Sequence, residues 1–316
     1  MRVGLCCQFA EQAIKFRITT ATAVLKLARP AQLQKLSELC LHNAGALQQA
    51  IEWCAANEVG AYRVMSQFWP LKTHPTCGYQ LSDLPAAANI TAQLAVCRNM
   101  AASSNVRLSF HPDQFVVLNS PRAEVVESSL AELEYQAEAA ELIGADVVNI
   151  HGGGAYGDKV TALARFRENL PRLSPRARKL LTLENDDKVY TPSDLLPICR
   201  AEHIPLCYDV HHHRCLADGL TIEEATAAAV QTWQGREPLF HISSPLQGWE
   251  KPQPQLHHDY IEPGDLPPGW LQLPITLDIE AKAKELAVLR LQAWIKKAQK
   301  EPPRNSRALA AAKKRG

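Results

Sequence analysis

The feature that most constrains this fold is a repeated pattern in which a short apolar run ends in a metal-binding or proton-transferring side chain. The apolar run 180–183 is followed by Glu184, and the run 205–208 is followed by Asp209. Between them, Thr191 has the residue type of a helix N-cap and is followed by proline, which suits the first helical position. The order strand, helix, strand predicts parallel strands. Sites in parallel α/β proteins are built at the carboxyl ends of such strands.

The same alternation recurs along the chain. We predict strands over Arg2–Cys7, Ala61–Met65, Val106–Phe110, Val147–Ile150, Lys179–Leu183, Leu206–Tyr208, Leu239–Phe240 and Ile275–Ile279. Helical spacing of apolar residues predicts helices over Ala31–Ala56, Ala86–Ser103, Glu124–Ile143, Lys159–Leu170, Glu223–Gln234 and Lys282–Ala298. This pattern predicts the α/β class and a (β/α)8 TIM barrel over residues 1–290. An open doubly wound sheet is the alternative, but no Gly-rich nucleotide loop follows the first strand.

Composition is consistent with one large folded domain. The chain has 316 residues, and its hydrophobic content of 46% supports a full core. We find neither an apolar run long enough to span a membrane nor a basic-then-apolar leader, so we expect a cytoplasmic protein, associated with the nucleoid when it acts. The nine cysteines are an odd number without metal-finger spacing, which favours a reducing compartment over a disulfide framework.

The charge of the chain is unevenly distributed. The formal net charge is +1, but residues 291–316 carry eight Lys/Arg and the single acid Glu301. The preceding residues therefore have 26 basic and 32 acidic side chains, a formal charge of −6. We interpret residues 291–316 as the end of the last helix and a basic, poorly ordered tail. That tail is either a solvated terminus or an arm that binds nucleic acid.

Six predicted strands end in a potential metal ligand, and a barrel would bring these ends together around one centre. The six residues are His111, His151, Glu184, Asp209, His241 and Glu280. His212 follows Asp209 closely enough to reach the same place, and His258 and His74 lie in loops on the same predicted face. Any one histidine, such as His74, His211, His213 or His257, has an ordinary structural interpretation, and Asp186 and Asp187 could cap a turn. The joint pattern at the strand ends favours a metal site.

The donor types indicate which ions such a site would hold. Imidazole and carboxylate without thiolate suit first-row divalent ions, and we expect Mn²⁺ first, with Zn²⁺ or Co²⁺ as alternatives. The number of donors exceeds the needs of one ion, which predicts two or three ions with a bridging glutamate. Paired ions of this kind serve phosphoester hydrolysis, and nothing in the chain calls for an organic cofactor.

Several segments resemble the UV damage endonucleases, a family of metal-dependent (β/α)8 DNA repair enzymes. The resemblance runs from Arg2 to about Glu285. The segments that carry it are Leu108–Val116, His151–Lys159, Leu183–Asp187, Asp209–His213 and Glu280–Glu285. The family incises double-stranded DNA on the 5′ side of a lesion and leaves a 3′-hydroxyl. The resemblance therefore implies a DNA repair endonuclease acting on UV photoproducts, with damaged duplex DNA as its partner.

The resemblance also implies roles for individual residues. The metal ligands would be His111, His151, Glu184, Asp209, His212, His241, His258 and Glu280, with His74 as a weaker candidate. The chemistry would depend on Glu184, Glu280, His241 and Lys159. The family pushes a Gln-Tyr pair into the duplex, and Gln114 and Phe115 stand at those positions; a ring that only stacks does not need the hydroxyl. Lys159 and Asn185 are the other implied DNA contacts, Lys159 at a phosphate.

The chain departs from the family at two places. A lysine usually stands two residues before the histidine of the seventh strand, and here that position is Leu239. An aromatic and polar set near the N-terminus, which helps to hold the damaged strand, is replaced by Leu5, Gln8 and Phe9. These differences bear on the rate and on the range of lesions.

Two further functions stay open at this point. A sugar isomerase or epimerase would use the same barrel and the same metal ligands, but it needs a closed pocket for a small molecule. A protein that binds damaged DNA without turnover is the third hypothesis, to which Leu239 lends weight. The pair Gln114–Phe115 and the basic tail favour DNA as the substrate. A wide groove of this kind suits a monomer.

Overall fold

The computed structural model describes residues 1–300, and its centre is a parallel barrel of eight strands. The strands are β1 (Arg2–Cys6), β2 (Ala61–Val64), β3 (Arg107–Phe110), β4 (Val147–His151), β5 (Leu181–Glu184), β6 (Leu206–Cys207), β7 (Leu239–Ile242) and β8 (Thr276–Ile279). They are hydrogen-bonded in the order β6-β5-β4-β3-β2-β1-β8-β7. The predicted TIM barrel is therefore confirmed.

Helices connect the strands and form the outer layer. They are α1 (Ala21–Leu25), α2 (Arg29–Ala56), α3 (Ala87–Ser103), α4 (Ala123–Ile143), α5 (Lys159–Asn169), α6 (Pro175–Leu180), α7 (Pro192–Glu202), α8 (Val210–Cys215), α9 (Ile222–Thr232) and α10 (Glu285–Lys300). Short 3₁₀ segments lie at Leu81–Asp83, Leu170–Arg172, Pro263–Asp265 and Pro268–Gln272. Along residues 1–300, no helix combines the length and apolarity that a membrane crossing needs.

Local signals in the sequence explain several element boundaries. Thr191 caps α7 with a reciprocal bond to Asp194, and α4 ends at Gly144 with φ of 76°. The predicted fifth strand began too early, because Ser174 caps the proline-initiated helix α6, which runs to Leu180 before β5 starts. Helix α8 was not predicted; Asp209 caps it by accepting a bond from the backbone N–H of His212.

The barrel closes between β6 and β7 at the predicted site. Strand β6 has only two residues, and the seam consists of one bridge that pairs Asp209 with His241. The backbone N–H of His241 donates to Tyr208 at 3.0 Å. Two candidate ligands thus form the seam themselves, so closing the barrel also brings them together.

The predicted division at residue 290 falls inside α10, which is continuous from Glu285 to Lys300. The basic tail predicted beyond this helix lies outside the described residues. Its role therefore stays a prediction.

Candidate metal centre

Imidazole and carboxylate groups converge on Glu184, which is fully buried at the end of β5. His111 Nε2 lies 2.9 Å from Glu184 Oε2, and His241 Nδ1 lies 3.0 Å from Glu184 Oε1. His212 Nδ1 lies 3.4 Å from the same Oε1 atom. The ring of His151 is 5.0 Å from that of His111, centroid to centroid. The strand ends thus place four histidines around one carboxylate.

A second carboxylate extends this cluster toward β8. His241 Nδ1 lies 3.4 Å from Glu280 Oε1, and Asp209 Oδ2 lies 3.6 Å from His212 Nδ1. Four overlapping groups have ligand atoms within 4.8 Å of one another: His111, His151 and Glu184; Glu184, Asp209 and His212; Asp209, His241 and Glu280; and Glu184, Cys207 and His241. Glu184 belongs to three of these groups, so it is suited to bridge ions.

The donor set fits a divalent cation on geometric grounds. Bonds of about 2.1 Å at roughly right angles put neighbouring ligand atoms about 3 Å apart, which matches the separations around Glu184. Within residues 1–300, Asp209 Oδ2 and His151 Nδ1 are buried and have no hydrogen-bond partner. Buried polar atoms rarely stay unpaired, and bound ions would give these two atoms partners. The protein thus contains clusters of His, Asp and Glu side chains that could bind a metal ion.

Backbone carbonyls orient two of the histidines. His111 Nδ1 is 3.0 Å from Pro112 O, and His212 Nδ1 is 3.0 Å from Asn185 O. A carbonyl oxygen only accepts, so each Nδ1 donates to it, and each Nε2 would offer a lone pair to an ion once it has lost its proton. This arrangement is the usual support of a metal-binding histidine.

The electrostatics of the cluster keep its carboxylates ionised. Burial raises the pKa of Glu184, but His241, His151 and the bond from His111 outweigh it and hold this pKa well below its usual range. Burial also raises the pKa of Glu280, while Arg63 and His241 outweigh it and lower the net value. For His212, burial lowers the pKa, but Asp209 and Glu184 raise it to about 10. The carboxylates of the centre therefore carry negative charge that a bound cation would compensate.

Three supporting residues were missed by the sequence interpretation. Arg63, inside β2, lies 2.6 Å from Glu280 Oε1 through Nη1 and 2.9 Å from His241 Nε2 through Nη2. Asn149, inside β4, donates to Glu184 Oε2 and accepts from Thr182. A charged or amide side chain within an otherwise apolar strand is the signal that could have identified both.

The third missed residue is His257, whose Nδ1 lies 3.9 Å from Glu280 Oε2. The sequence interpretation chose the neighbouring His258, whose Nδ1 instead accepts from the backbone N–H of Tyr260 at 3.0 Å. His74, the weaker candidate, lines the edge of the groove, and its Nδ1 accepts from the backbone of Thr76 at 3.2 Å. None of His257, His258 and His74 belongs to the clustered groups found among residues 1–300, so the assignment of His258 and His74 stays a prediction.

Two implied DNA contacts have structural partners. Asn185 is buried and pairs twice with Asp209: it donates to Asp209 O at 2.9 Å and accepts from Asp209 N at 3.0 Å. It thereby positions the end of β6. Lys159 begins α5 and donates to Asp194 Oδ2 at 2.7 Å, with its side chain 43% exposed.

The side chain of Asp186 accepts a hydrogen bond from the backbone N–H of Tyr190 at 3.0 Å, as expected of a turn.

The centre opens into a groove of about 1400 Å³. His111, His151, Glu184, His212 and Glu280 line its floor. Gln114 and Phe115 lie on its rim, and Phe115 is 76% exposed. A glycine loop forms another part of the rim; Asn119 holds it by donating to Gly152 O at 2.7 Å and to Gly154 O at 2.8 Å.

The sites of departure from the family lie away from this groove. Leu239 is buried below His241, in a cluster with Val147, Cys207 and Trp233. Leu5 is buried as well, and Phe9 packs on Trp53 with ring centroids 5.2 Å apart. Gln8 is exposed.

The fold and the site define a (β/α)8 barrel protein with a candidate metal centre and an open groove at the carboxyl ends of its strands. The family model described as UV-endonuclease UvdE matches residues 1–305. The chain belongs to this family, which supports its class as a DNA repair endonuclease.

Individual relatives agree with this family. The UV DNA damage endonuclease of Bacillus cereus strain G9842 is 33% identical over 285 residues, covering 86% of each chain. The crystal structure of SacUVDE superposes with a TM-score of 0.83 at 28% identity, covering 95% of this chain and all of that one. Endonuclease IV from Thermus thermophilus shares the fold, with a TM-score of 0.60 at 16% identity and coverage of 94% and 100%.

Proposed function

We propose that this protein incises duplex DNA on the 5′ side of UV photoproducts by metal-dependent phosphodiester hydrolysis, leaving a 3′-hydroxyl. The observation that carries the proposal is one open groove with a His/Asp/Glu centre on its floor and an exposed aromatic residue on its rim. A relative is named a UV DNA damage endonuclease, which supports the lesion class.

In this proposal two or three divalent ions, Mn²⁺ before Zn²⁺ or Co²⁺, are held by His111, His151, Glu184, Asp209, His212, His241 and Glu280, with His257 or His258 as a further ligand. Bound ions would supply Lewis-acid stabilisation of the charge that develops on the phosphoryl oxygens. Glu184 is shared by three of the ligand groups found among residues 1–300. Glu280 and His241 are the candidate ligands that lie next to Arg63. Their fixed positions avoid reorganisation during the reaction.

The charge of the groove supports metal dependence of DNA binding as well as of cleavage. Its lining has seven carboxylates against three Lys/Arg side chains; the acids are Asp113, Glu124, Glu132, Glu184, Asp186, Asp187 and Glu280, and the bases are Lys72, Arg122 and Lys188. A phosphate backbone would be repelled by so many carboxylates unless cations offset them. Lys159 can contribute a phosphate contact, because its ammonium has further N–H donors beside the bond to Asp194 and its side chain is 43% exposed.

The rim supports recognition of the lesion. Phe115 exposes 76% of its surface, more than any other aromatic side chain among residues 1–300. Apolar and aromatic side chains that kink DNA insert between base steps, and damaged bases unstack at lower cost than normal ones. We propose that Gln114 and Phe115 enter the duplex at the lesion.

Incision of a labelled duplex with one UV photoproduct tests the proposal. We expect a cut immediately 5′ of the lesion in Mn²⁺, with an end that a DNA polymerase extends. EDTA should abolish the cut, and so should Glu184→Ala, whereas Glu127→Gln on the exposed face of α4 should cut normally. A wild-type protein that never cuts in any divalent ion would contradict the proposal.

The sugar isomerase alternative is disfavoured by the groove volume of about 1400 Å³ and by the exposure of Phe115 on the rim. A small-molecule site buries most of its ligand. Interconversion of sugars by a protein that does not nick DNA would support this alternative. Tight binding to damaged duplex without incision would support a binding protein without turnover. We further propose that the enzyme acts as a cytoplasmic monomer.

A further inference from the structure

The connection between β1 and α1 is fixed to the barrel by a buried carboxylate. Glu285, fully buried at the start of α10, accepts hydrogen bonds from three successive backbone N–H groups: Ala10 at 2.6 Å, Glu11 at 2.7 Å and Gln12 at 3.3 Å. Bonds to a charged acceptor are stronger than bonds between neutral groups. This part of the connection therefore has a defined position although it has no regular secondary structure.

A buried amide fixes the same connection a few residues later. Asn43, on α2, accepts from Arg17 N at 2.7 Å and donates to Arg17 O at 2.9 Å. It also donates to Phe68 O at 2.9 Å. The ring of Phe16 stacks on Tyr62 with a centroid separation of 6.4 Å. The backbone of Arg17, immediately before Ile18, is thus fixed through both its N–H and its C=O group.

Ile18 follows this anchored segment and projects into the groove. It is 57% exposed and lines the groove together with Thr19 and Thr20. Phe115, at 76%, and Tyr156, at 48%, are the other exposed large hydrophobic side chains of the same lining within residues 1–300. An isoleucine that remains 57% exposed in the folded protein keeps apolar area that it would bury only against a partner. Ile18 and Phe115 both line the space that the proposed function assigns to DNA.

We propose that Ile18 is a second wedge residue, which packs against a base step of the damaged duplex while Phe115 occupies the lesion. This inference rests on the proposed function. Isoleucine is among the apolar side chains that proteins insert between bases, and a pre-positioned wedge costs little entropy on binding. Glu285 is then a positioning residue, which acts on DNA only through the segment that it anchors.

The direct test is the affinity of Ile18→Ser for a lesion-containing duplex, measured in Ca²⁺ to prevent turnover. We expect binding to be about five- to tenfold weaker, because the variant loses the area that isoleucine buries. Ile18→Leu should bind nearly as well as wild type. The matched control is Val96→Ser, a β-branched residue that is 44% exposed on α3, which should bind normally.

A second readout separates wedge formation from general loss of affinity. A 2-aminopurine base placed next to the lesion should brighten when wild-type protein unstacks it, and it should brighten less with Ile18→Ser. For Glu285→Gln we expect faster hydrogen exchange at residues 10–12 and a higher KM with kcat unchanged.

The binding measurements distinguish failure of the Ile18 proposal from failure of the proposed function. If wild type prefers damaged duplex and Ile18→Ser binds it equally well, the wedge proposal is wrong and the proposed function stands. If wild type does not distinguish damaged from undamaged duplex, both are wrong.

Discussion

At the residue scale, Arg63 is the cation on which the acidic side of the centre depends. Its guanidinium contacts Asp278 at 3.1 Å and Glu280 at 2.6 Å, and it reaches His241 at 2.9 Å. All of these groups are buried or nearly so. Arginine is suited to this position because its planar fork offers several donors and stays protonated.

Replacing Arg63 with methionine should strongly destabilise the metal-free protein. The change leaves two carboxylates without their cation in a buried site, and removal of one partner from a buried ion pair costs about 3–5 kcal/mol. The matched control is Arg172→Met, whose ion pair with Glu127 is exposed on both sides and should contribute about 0–1 kcal/mol. Urea unfolding in EDTA measures the stability of both variants. Equal unfolding midpoints for the two would contradict the role of Arg63.

Gly153 is a second position where a single residue matters. Its φ is +84°, and an added Cβ would clash with Asn119 Oδ1. We expect Gly153→Ala to displace Asn119 from the carbonyls of Gly152 and Gly154, lowering stability by about 1–3 kcal/mol. The matched variant Gly45→Ala, in a helix with nothing near the added Cβ, should be neutral or stabilising in thermal unfolding.

At the element scale, the strand ends could be predicted because side chains of one chemical type recur in order after apolar runs. The residues that support them could not. Arg63 and Asn149 lie within β2 and β4, and only the assembled barrel shows which carboxylate each one contacts. The choice between His257 and His258 depends on one residue of register in an irregular loop, where no periodicity guides a prediction.

Asp218 links α7 and α8 to each other through its carboxylate. It accepts from Ser193 N at 2.8 Å, from Leu220 N at 2.8 Å and from the ring of His213 at 3.0 Å. Burial raises the pKa of Asp218, but these bonds outweigh it and lower the pKa from 3.8 to about 2.

The depressed pKa gives Asp218 a pH-dependent effect on stability. The contribution of the ionised Asp218 to the free energy of unfolding should be present above pH 3.8 and should be lost as the pH falls toward about 2. Asp218→Asn should therefore unfold earlier than wild type in urea at pH 6, and the difference between the two should shrink below pH 4. A difference that is the same at pH 6 and pH 3 would show that the carboxylate charge is not responsible.

At the scale of the whole molecule, barrel closure and the metal centre depend on each other. The seam between β6 and β7 is one bridge between Asp209 and His241, both of which offer ligand atoms to the centre. An ion bound to both would hold the seam together. Ligands that bind only the folded protein stabilise it by mass action, about 2.7 kcal/mol per site at a hundredfold excess over Kd.

We therefore expect Mn²⁺ to raise the thermal unfolding midpoint of the wild-type protein and EDTA to reverse the change. Asp209→Asn should respond less, because one ligand of the seam is weakened. The exposed control Asp146→Asn, whose carboxylate pairs with Arg107, should respond as wild type does, even if its midpoint is lower in both conditions. If Mn²⁺ raises the unfolding midpoint of Asp209→Asn as much as that of wild type, the proposed link between barrel closure and metal binding is wrong.

The most direct test of a divalent metal centre at these strand ends is equilibrium titration of the dialysed protein with Mn²⁺, followed by electron paramagnetic resonance of the free ion. We expect saturable binding of two or three ions per chain. We also expect Glu184→Gln to lose most of that binding, because Glu184 belongs to three of the four ligand groups found among residues 1–300. Glu127→Gln should bind as wild type does. Absence of saturable binding, or a Glu184→Gln isotherm that matches wild type, would contradict the account.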